Sequence, residues 1–454
     1  EVDWTPVPPA RFCSRRQIVE NMPDPICPLF EELYLTRGLE STRPESLMVG
    51  GGPMFVTING YAFQRFDWPQ IHQEMEEIER KNKSLGPISE EAIEAAEYEE
   101  ITKHMDDARK KTLENAGKDI GVFRDSLSDD DQATFDAWLK DQDDDIGARI
   151  TIPESKNPTY VAFNHTAQND KVLKYWYDVT KPRLEGVAEK WRAVDISDAS
   201  DDTLLEGIVE MGMEEGRYWS DDSSHTFGVA KSTDDQLQCF LKENLPDHNY
   251  ISGQFLTGIE SKAMQANADL FEIAKLVRAD EDLSYTVLAV PSPFLFQALY
   301  EHEKGAEVLA ALKGFLGTYG HQGYSLDFIE PTQVEDPSAL FATLKGMVRD
   351  KDYDPKNQSK KTAGIRKEKL QEVSELLSDL EYWQFRFRLC LALKYNFIRE
   401  EVEFRFVFTW SILRPMAFEL NRRVIDAGTL QQKGVLFFLV SDEIAEAITA
   451  RKQG

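Results

Sequence analysis

From about residue 155 onward the apolar residues recur every three to four positions, and no strand–helix alternation interrupts them. "DDTLLEGIVEMGMEEG", "STDDQLQCFLKENL", "SKAMQANADLFEIAKLVRA" and "PFLFQALYEHEKGAEVLAALKGFLGTYG" all carry this period. A repeat near 3.6 puts such side chains on one helix face, whereas a half-buried strand needs a repeat of two. So long a stretch without βαβ units argues against a parallel-sheet enzyme core, and no fixed period marks a solenoid. The expected fold is mainly α, a multi-helix body with a small β-hairpin element near the N-terminus.

The hairpin is expected in "MFVTINGYAFQRF", Met54 to Phe66, where Asn59-Gly60 separates two runs of β-branched and aromatic residues. Before it, six prolines within residues 1–30 predict an extended, irregular backbone. Behind Pro69 the chain fills with good helix formers, and Ser89 followed by acidic residues reads as a helix start. Three units follow: 1–70 as extended entry segment and hairpin, 71–150 as acidic helical subdomain, and 151–454 as main helical domain. Aspartate runs near residue 130 lack the ordered spacing of a calcium loop and read as solvated helix ends.

The formal net charge is -28. So acidic a surface repels phosphate backbones and anionic lipid, so neither nucleic acid nor membrane is an expected partner, although a local basic pocket remains able to hold an anion. The opening "EVDWTPVPPARF" lacks a signal peptide's charged start and apolar stretch, and Cys13, Cys27, Cys239 and Cys390 follow no metal or disulfide pattern. A cytoplasmic location is expected, with no metal site. Signatures for nucleotide loops, zinc proteases and serine hydrolases are also missing.

"YGHQGYSLDF", Tyr319 to Phe328, concentrates polar chemistry between two glycines. Gly305 to Gly320 reads as a helix closed by a left-handed glycine cap, so His321, Gln322, Tyr324 and Asp327 fall on the loop beyond it. A helix C-terminus favours protonated imidazole, and Asp327 is placed to orient the ring of His321. The structural alternative has His321 capping the last carbonyls and Asp327 binding turn amides.

Further along, "NFIREEVEFRFVFTWSILRP" sets Arg399 four residues before Glu403 and Glu401 four before Arg405, on a long helix expected to kink at Pro415. An arginine among so many aromatic residues is a candidate anchor for a phosphoryl group or a carboxylate, and a structural ion-pair network is equally consistent. His225 reads as a pocket residue or as part of a surface loop before a helix starting at Ser232. Gln254 belongs to a polar turn, "ISGQFLTGIESK", that enters a helix.

In order along the chain, "NMPDPICPLFEELYLTRGL", "INGYAFQRF", "FLGTYGHQGYSLDFIEPTQVEDPSALFATLK" and "LRPMAFELNRRVIDAGTLQQKGVLFFLVSDEIAEAI" resemble the central helical segment of the phosphoenolpyruvate-synthase-like dikinases and phosphotransferases. That group includes rifampicin phosphotransferase, phenylphosphate synthase and the hydroxyacetophenone kinases. The resemblance implies an acceptor-binding part only. An ATP-grasp domain or subunit, using ATP and Mg2+, would phosphorylate a histidine on a swivelling domain, and that domain would deliver the phosphoryl group here. None of the seven histidines has the phosphohistidine context, and no cofactor is expected on this chain. Rifampicin-type members carry arginine where Gln322 stands and an acidic pair where Ser325-Leu326-Asp327 stands, which turns the comparison towards the branch acting on phenols. The implied roles are His321, Asp327 and Arg399 as catalytic residues, and Gln322, Tyr324, Gln254 and His225 around a small aromatic hydroxyl substrate. Tyr319–Phe328 would line the mouth of a ring-sized apolar hollow. Another hydroxyl acceptor such as an antibiotic, or a non-catalytic helical scaffold, are the alternatives.

Overall fold

The computed structural model describes residues 13–15, 18–19, 21–42, 51–65, 67, 119–151, 166–258, 261–323, 325–432 and 434–453. Tyr324 and the whole of the acidic stretch 71–118, Ser89 included, lie outside them.

The hairpin forms as expected. Strand β1 (Cys13–Ser14) precedes β2 (Phe55–Ile58) and β3 (Tyr61–Arg65), and β2 pairs antiparallel with β3. Asn59 and Gly60 supply φ angles of 53° and 78°, the two left-handed residues of a tight turn. β1 adds to the other edge of β3, which makes a three-stranded sheet where the sequence suggested two strands.

Residues 28–42, expected as part of an extended entry, are helical instead: α-helical at Pro28–Phe30, wider π-type turns over Glu31–Gly38, then a 3-10 turn at Leu39–Thr42. Pro28 occupies a first-turn position, where its missing N–H costs nothing, so this proline starts a helix. Leu33, Tyr34, Leu35 and Leu39 are buried.

The longer α-helices among the described residues begin with α1 (Asp129–Leu139), α2 (Thr166–Tyr175), α3 (Lys181–Arg192), α4 (Asp201–Tyr218) and α5 (Ser224–Asn244). They continue with α6 (Lys262–Arg278), α7 (Glu281–Ala289), α8 (Gly305–Tyr319), α9 (Ser338–Arg349) and α10 (Pro355–Leu376). Last come α11 (Asp379–Glu403), α12 (Trp410–Asp426) and α13 (Ser441–Gln453). Side-chain N-caps start many of them: Ser200, Ser261, Asp280, Asp354 and Ser378 each accept a first-turn backbone N–H.

The helix α4 lies so close to the 28–42 segment that glycine is required on both sides. A Cβ on Gly216 would stand 2.2 Å from the Tyr34 carbonyl oxygen, and one on Gly38 would stand 2.5 Å from that of Met213.

The single long helix expected around Pro415 is three helices, α10 to α12. A capping box at Ser378, with Glu381 reaching back to the Ser378 N–H, starts α11. The second break falls at residues 404–409, ahead of Pro415, which sits inside α12. His225 and Ser232 both lie within the unbroken α5, so the expected loop and helix start there are absent.

Three apolar cores result. The first joins the N-terminal segment, α4, α11 and α12. A second fills the layer between α6 and α9. A third, centred on Phe240, Phe255 and Phe385, sits under α5, α10 and α11. Among the described residues no helix is long and apolar enough to cross a membrane.

Candidate functional site

Two stretches of chain pass between the first and second cores. Tyr319 belongs to the second core while Leu326 and Phe328 belong to the first. Phe404 packs on the second core while Phe406 and Val407 belong to the first. The seam between the cores is therefore built from the two segments that stand out in the sequence.

The decapeptide is held from several sides. Gly320 ends α8 in a right-handed conformation, φ -75°, not the left-handed cap expected. Glycine is needed there for space, since a Cβ would stand 2.4 Å from the Leu316 carbonyl oxygen and 2.7 Å from a Val334 methyl. The Gln322 carbonyl accepts the Gln333 N–H at 3.0 Å, and Leu326 N–H donates to the Asn21 carbonyl at 2.9 Å. Trp410 Nε1 donates to the Leu326 carbonyl at 2.9 Å, and Arg414 donates to that of Phe328. Arg414 is itself fixed by both carboxylate oxygens of Glu335.

His321 is only 5% exposed. Its Nε2 bonds the Phe404 carbonyl oxygen at 2.7 Å, which assigns the proton to that nitrogen, and its ring stands edge-on to Phe404 and Phe408. Burial lowers its pKa. Asp327 does not orient it. The Asp327 carboxylate accepts the Cys27 N–H at 2.7 Å, the Cys27 thiol at 3.1 Å and the Ile329 N–H at 3.0 Å, and burial raises its pKa. The amide-binding alternative describes Asp327 correctly. Both residues are sealed, so they do not form the mouth of a hollow.

The other expected site residues are dispersed. Arg399 is half-exposed, lies over the Phe227 ring at 5.4 Å, and reaches Glu403 only at 3.8 Å. His225 Nε2 stands 3.3 Å from Asn169 Oδ1. Gln254 accepts the Ile251 N–H at 3.3 Å through its side-chain oxygen. Gln322 is held through its backbone, whose N–H donates to the Tyr319 carbonyl at 3.4 Å while its carbonyl takes the Gln333 N–H.

Residues 404–409 carry a conformational signature that the sequence does not announce. Val407 has φ 56°, a left-handed value that a β-branched residue adopts at a cost of about 1–3 kcal/mol. Beneath it the carboxyl of Glu215, 1% exposed, accepts the Thr409 N–H at 2.7 Å and a backbone bond from Val407. Burial pushes this carboxyl up to about 8. Tyr218 donates its hydroxyl to the Val402 carbonyl at 3.0 Å, so α4 holds both sides of the break. In sequence Glu215 is one of four glutamates on an otherwise ordinary amphipathic helix, and nothing marks it as buried.

On the accessible side of the seam, Arg405 pairs with Glu185 at 3.0 Å and Glu401 at 3.2 Å, and Lys262 stands 3.4 Å from Glu401. The Lys262 ammonium is also 5.7 Å from the centre of the Phe404 ring, which packs edge-on against His321. Beside Lys262 opens a hollow of about 220 Å³ lined by Leu256, Gly258, Ser261, Asn396, Phe397 and Glu400. Its walls are Leu256 and Gly258, the Ser261 cap of α6 and one face of α11. Gly258, at φ 76°, faces Thr362 and Ala363 of α10. Among the described residues no group of three or more His, Cys, Asp or Glu could hold a metal ion.

Fold and seam together define a helical domain with a ring-sized hollow beside an ion-pair network. Residues 227–405 match the family model described as the rifampicin phosphotransferase fourth domain, and that likeness suggests a phosphotransferase-type function. The match covers less than half of the chain and contains the whole α6–α9 layer, the hollow, His321 and Arg405. A search of curated proteins finds no match.

Proposed function

We propose that this chain is the acceptor-binding part of an ATP-dependent, dikinase-like phosphotransferase, and that it presents a phenolic hydroxyl to a phosphohistidine carried on a separate domain or subunit. The observation that carries the reading is the placement of the hollow: all of its lining residues fall within the matched segment 227–405. Its size favours a single aromatic ring, because drug-sized ligands occupy about 300–1,000 Å³. Leu256 and Phe397 supply apolar contact, and Asn396 and Glu400 the polar fixing points.

In this reading the phenol oxygen attacks phosphorus while the bond from phosphorus to the carrier imidazole breaks. The phenolic proton passes to the Glu400 carboxylate or to water. A phenol has a pKa near 10, so only modest assistance is needed. Lys262 supplies positive charge for the transferring group, and catalysis rests mainly on alignment and charge stabilisation. His321 acts through Phe404, whose carbonyl it holds, as a positioning residue, and Arg399 lies outside this arrangement. ATP and Mg2+ belong to the partner ATP-grasp domain.

A second reading, a non-catalytic scaffold, is favoured by the burial of His321 and Asp327. The deciding experiment combines the ATP-grasp and phosphohistidine components, ATP and candidate phenols with this chain, and follows aryl phosphate. Loss of product when the chain is omitted, together with a raised KM for phenol in Phe397→Trp, supports the acceptor role. Equal product without the chain overturns it.

A further inference from the structure

The charge of this molecule is unevenly spread. Residues 351–369 contain seven lysines and arginines against three acidic residues, within a chain of net charge -28. Part of this basic segment faces a cavity of about 460 Å³, whose lining includes Lys275, Arg278, Lys351 and Lys356 around Phe271 and Tyr353. Glu272, Asp352 and Asp354 also line it. Two of these acids are already engaged: Glu272 pairs with Lys275, and Asp354 caps α10 by accepting the Lys356 N–H at 2.8 Å. The four cations of the lining exceed its three acids by one charge, against the strongly acidic balance of the whole chain.

The loop that presents Lys351 is built, not loosely draped. Arg278 donates Nε to the Met347 carbonyl at 3.1 Å and also bonds the Asp350 carbonyl, while its guanidinium lies 5.3 Å from the centre of the Phe271 ring. Asn267 donates to the Tyr353 hydroxyl at 2.7 Å, and Phe271 meets Tyr353 edge-on at 5.7 Å. These anchors fix an aromatic wall between cations drawn from α6 and from the start of α10. Neither Lys351 nor Lys356 is needed for any of those contacts, so both ammonium groups are left for a ligand.

We propose that this cavity binds a small phosphomonoester, with Lys351 and Lys356 on its dianionic phosphate and Phe271 and Tyr353 against its organic group. The site is separate from the hollow beside Lys262, and it stands or falls independently of the acceptor reading. A phosphate dianion pairs with the two ammonium groups, charge-assisted hydrogen bonds are the strong ones, and an aromatic face adds contact for a ring.

Calorimetric titration of the full chain with phenyl phosphate, inorganic phosphate, phenol and benzoate tests it. Saturable binding of phenyl phosphate is expected, tighter than inorganic phosphate, weakened by salt and lost for phenol. The double variant Lys351→Ala/Lys356→Ala changes two exposed side chains, so its circular dichroism and melting should stay native, and its affinity should fall about tenfold or more. Lack of saturable binding at millimolar phenyl phosphate would overturn the proposal, as would equal affinity in the native-like double variant. Benzoate binding as tightly as phenyl phosphate would overturn the assignment of a phosphate.

Discussion

The Glu215 carboxyl lies directly under Thr409, accepting its backbone N–H at 2.7 Å, within two residues of the left-handed Val407. A buried acid on one helix thus holds the strained turn that joins α11 to α12. Removing its acceptor would leave buried N–H groups unpaired, at about 1–3 kcal/mol each.

The pH dependence of stability follows from that burial. In the folded protein the Glu215 carboxyl stays protonated up to about 8, whereas in the unfolded chain it ionises near the ordinary glutamate value. Between those limits the folded state binds the extra proton, so this group's contribution falls as pH rises, by at most about 1.4 kcal/mol per pH unit. Glu215→Gln keeps the carbonyl acceptor and should flatten the decline, read as denaturation midpoints between pH 5 and 9. An unchanged slope would remove Glu215 as its source.

His321 acts in the opposite direction. Its pKa is lowered by burial, so the unfolded state takes up the proton first as pH falls, and the stability from this group is lost below the ordinary histidine range. His321→Ala should abolish that acid limb and cost about 2–4 kcal/mol through the cavity and the lost bond to Phe404. Urea unfolding at pH 5 and pH 7 checks both.

Val407 offers a reversal of a common order. Glycine normally destabilises more than alanine, but at φ 56° it alone is unstrained. Val407→Gly should therefore cost less than Val407→Ala by about 0.5–1 kcal/mol, even though both lose the buried side chain. The same ranking by chemical denaturation as at a right-handed position would contradict the strain.

Two glycines make a paired test of packing. Gly216→Ala places a methyl 2.2 Å from the Tyr34 carbonyl oxygen and should destabilise by about 3 kcal/mol or more. Gly228→Ala, in α5 with nothing within 4 Å of the added carbon, should stabilise by about 0.5–1 kcal/mol. Thermal melts of the two variants should move in opposite directions.

Much of the helical body is legible in the sequence because amphipathic periods reflect burial directly, as in α4 and α6, and Asn59-Gly60 announces its own turn. Residues 28–42 are not, because three nearby prolines suggest an extended chain and only the glycine contact with α4 reveals why a helix packs there. The 404–409 break is hidden for a related reason: its aromatic residues continue a helical pattern, and the forces that bend the chain come from Glu215, Tyr218 and His321, all distant in sequence. The decapeptide stands out as unusual from its residues alone. Its chemistry does not, because Cys27, the real partner of Asp327, lies 300 residues away.

The seam also limits how the α6–α9 layer can move. Both its ends are fastened close together, Lys262 near Glu401 and Tyr353 on Asn267, and its middle is stapled to the main body through Asn21, Trp410 and Arg414. These attachments lie along one seam, so any swing of the layer away from the main body has to break them together. In the acceptor reading proposed above, that seam is the anvil against which an incoming carrier would work.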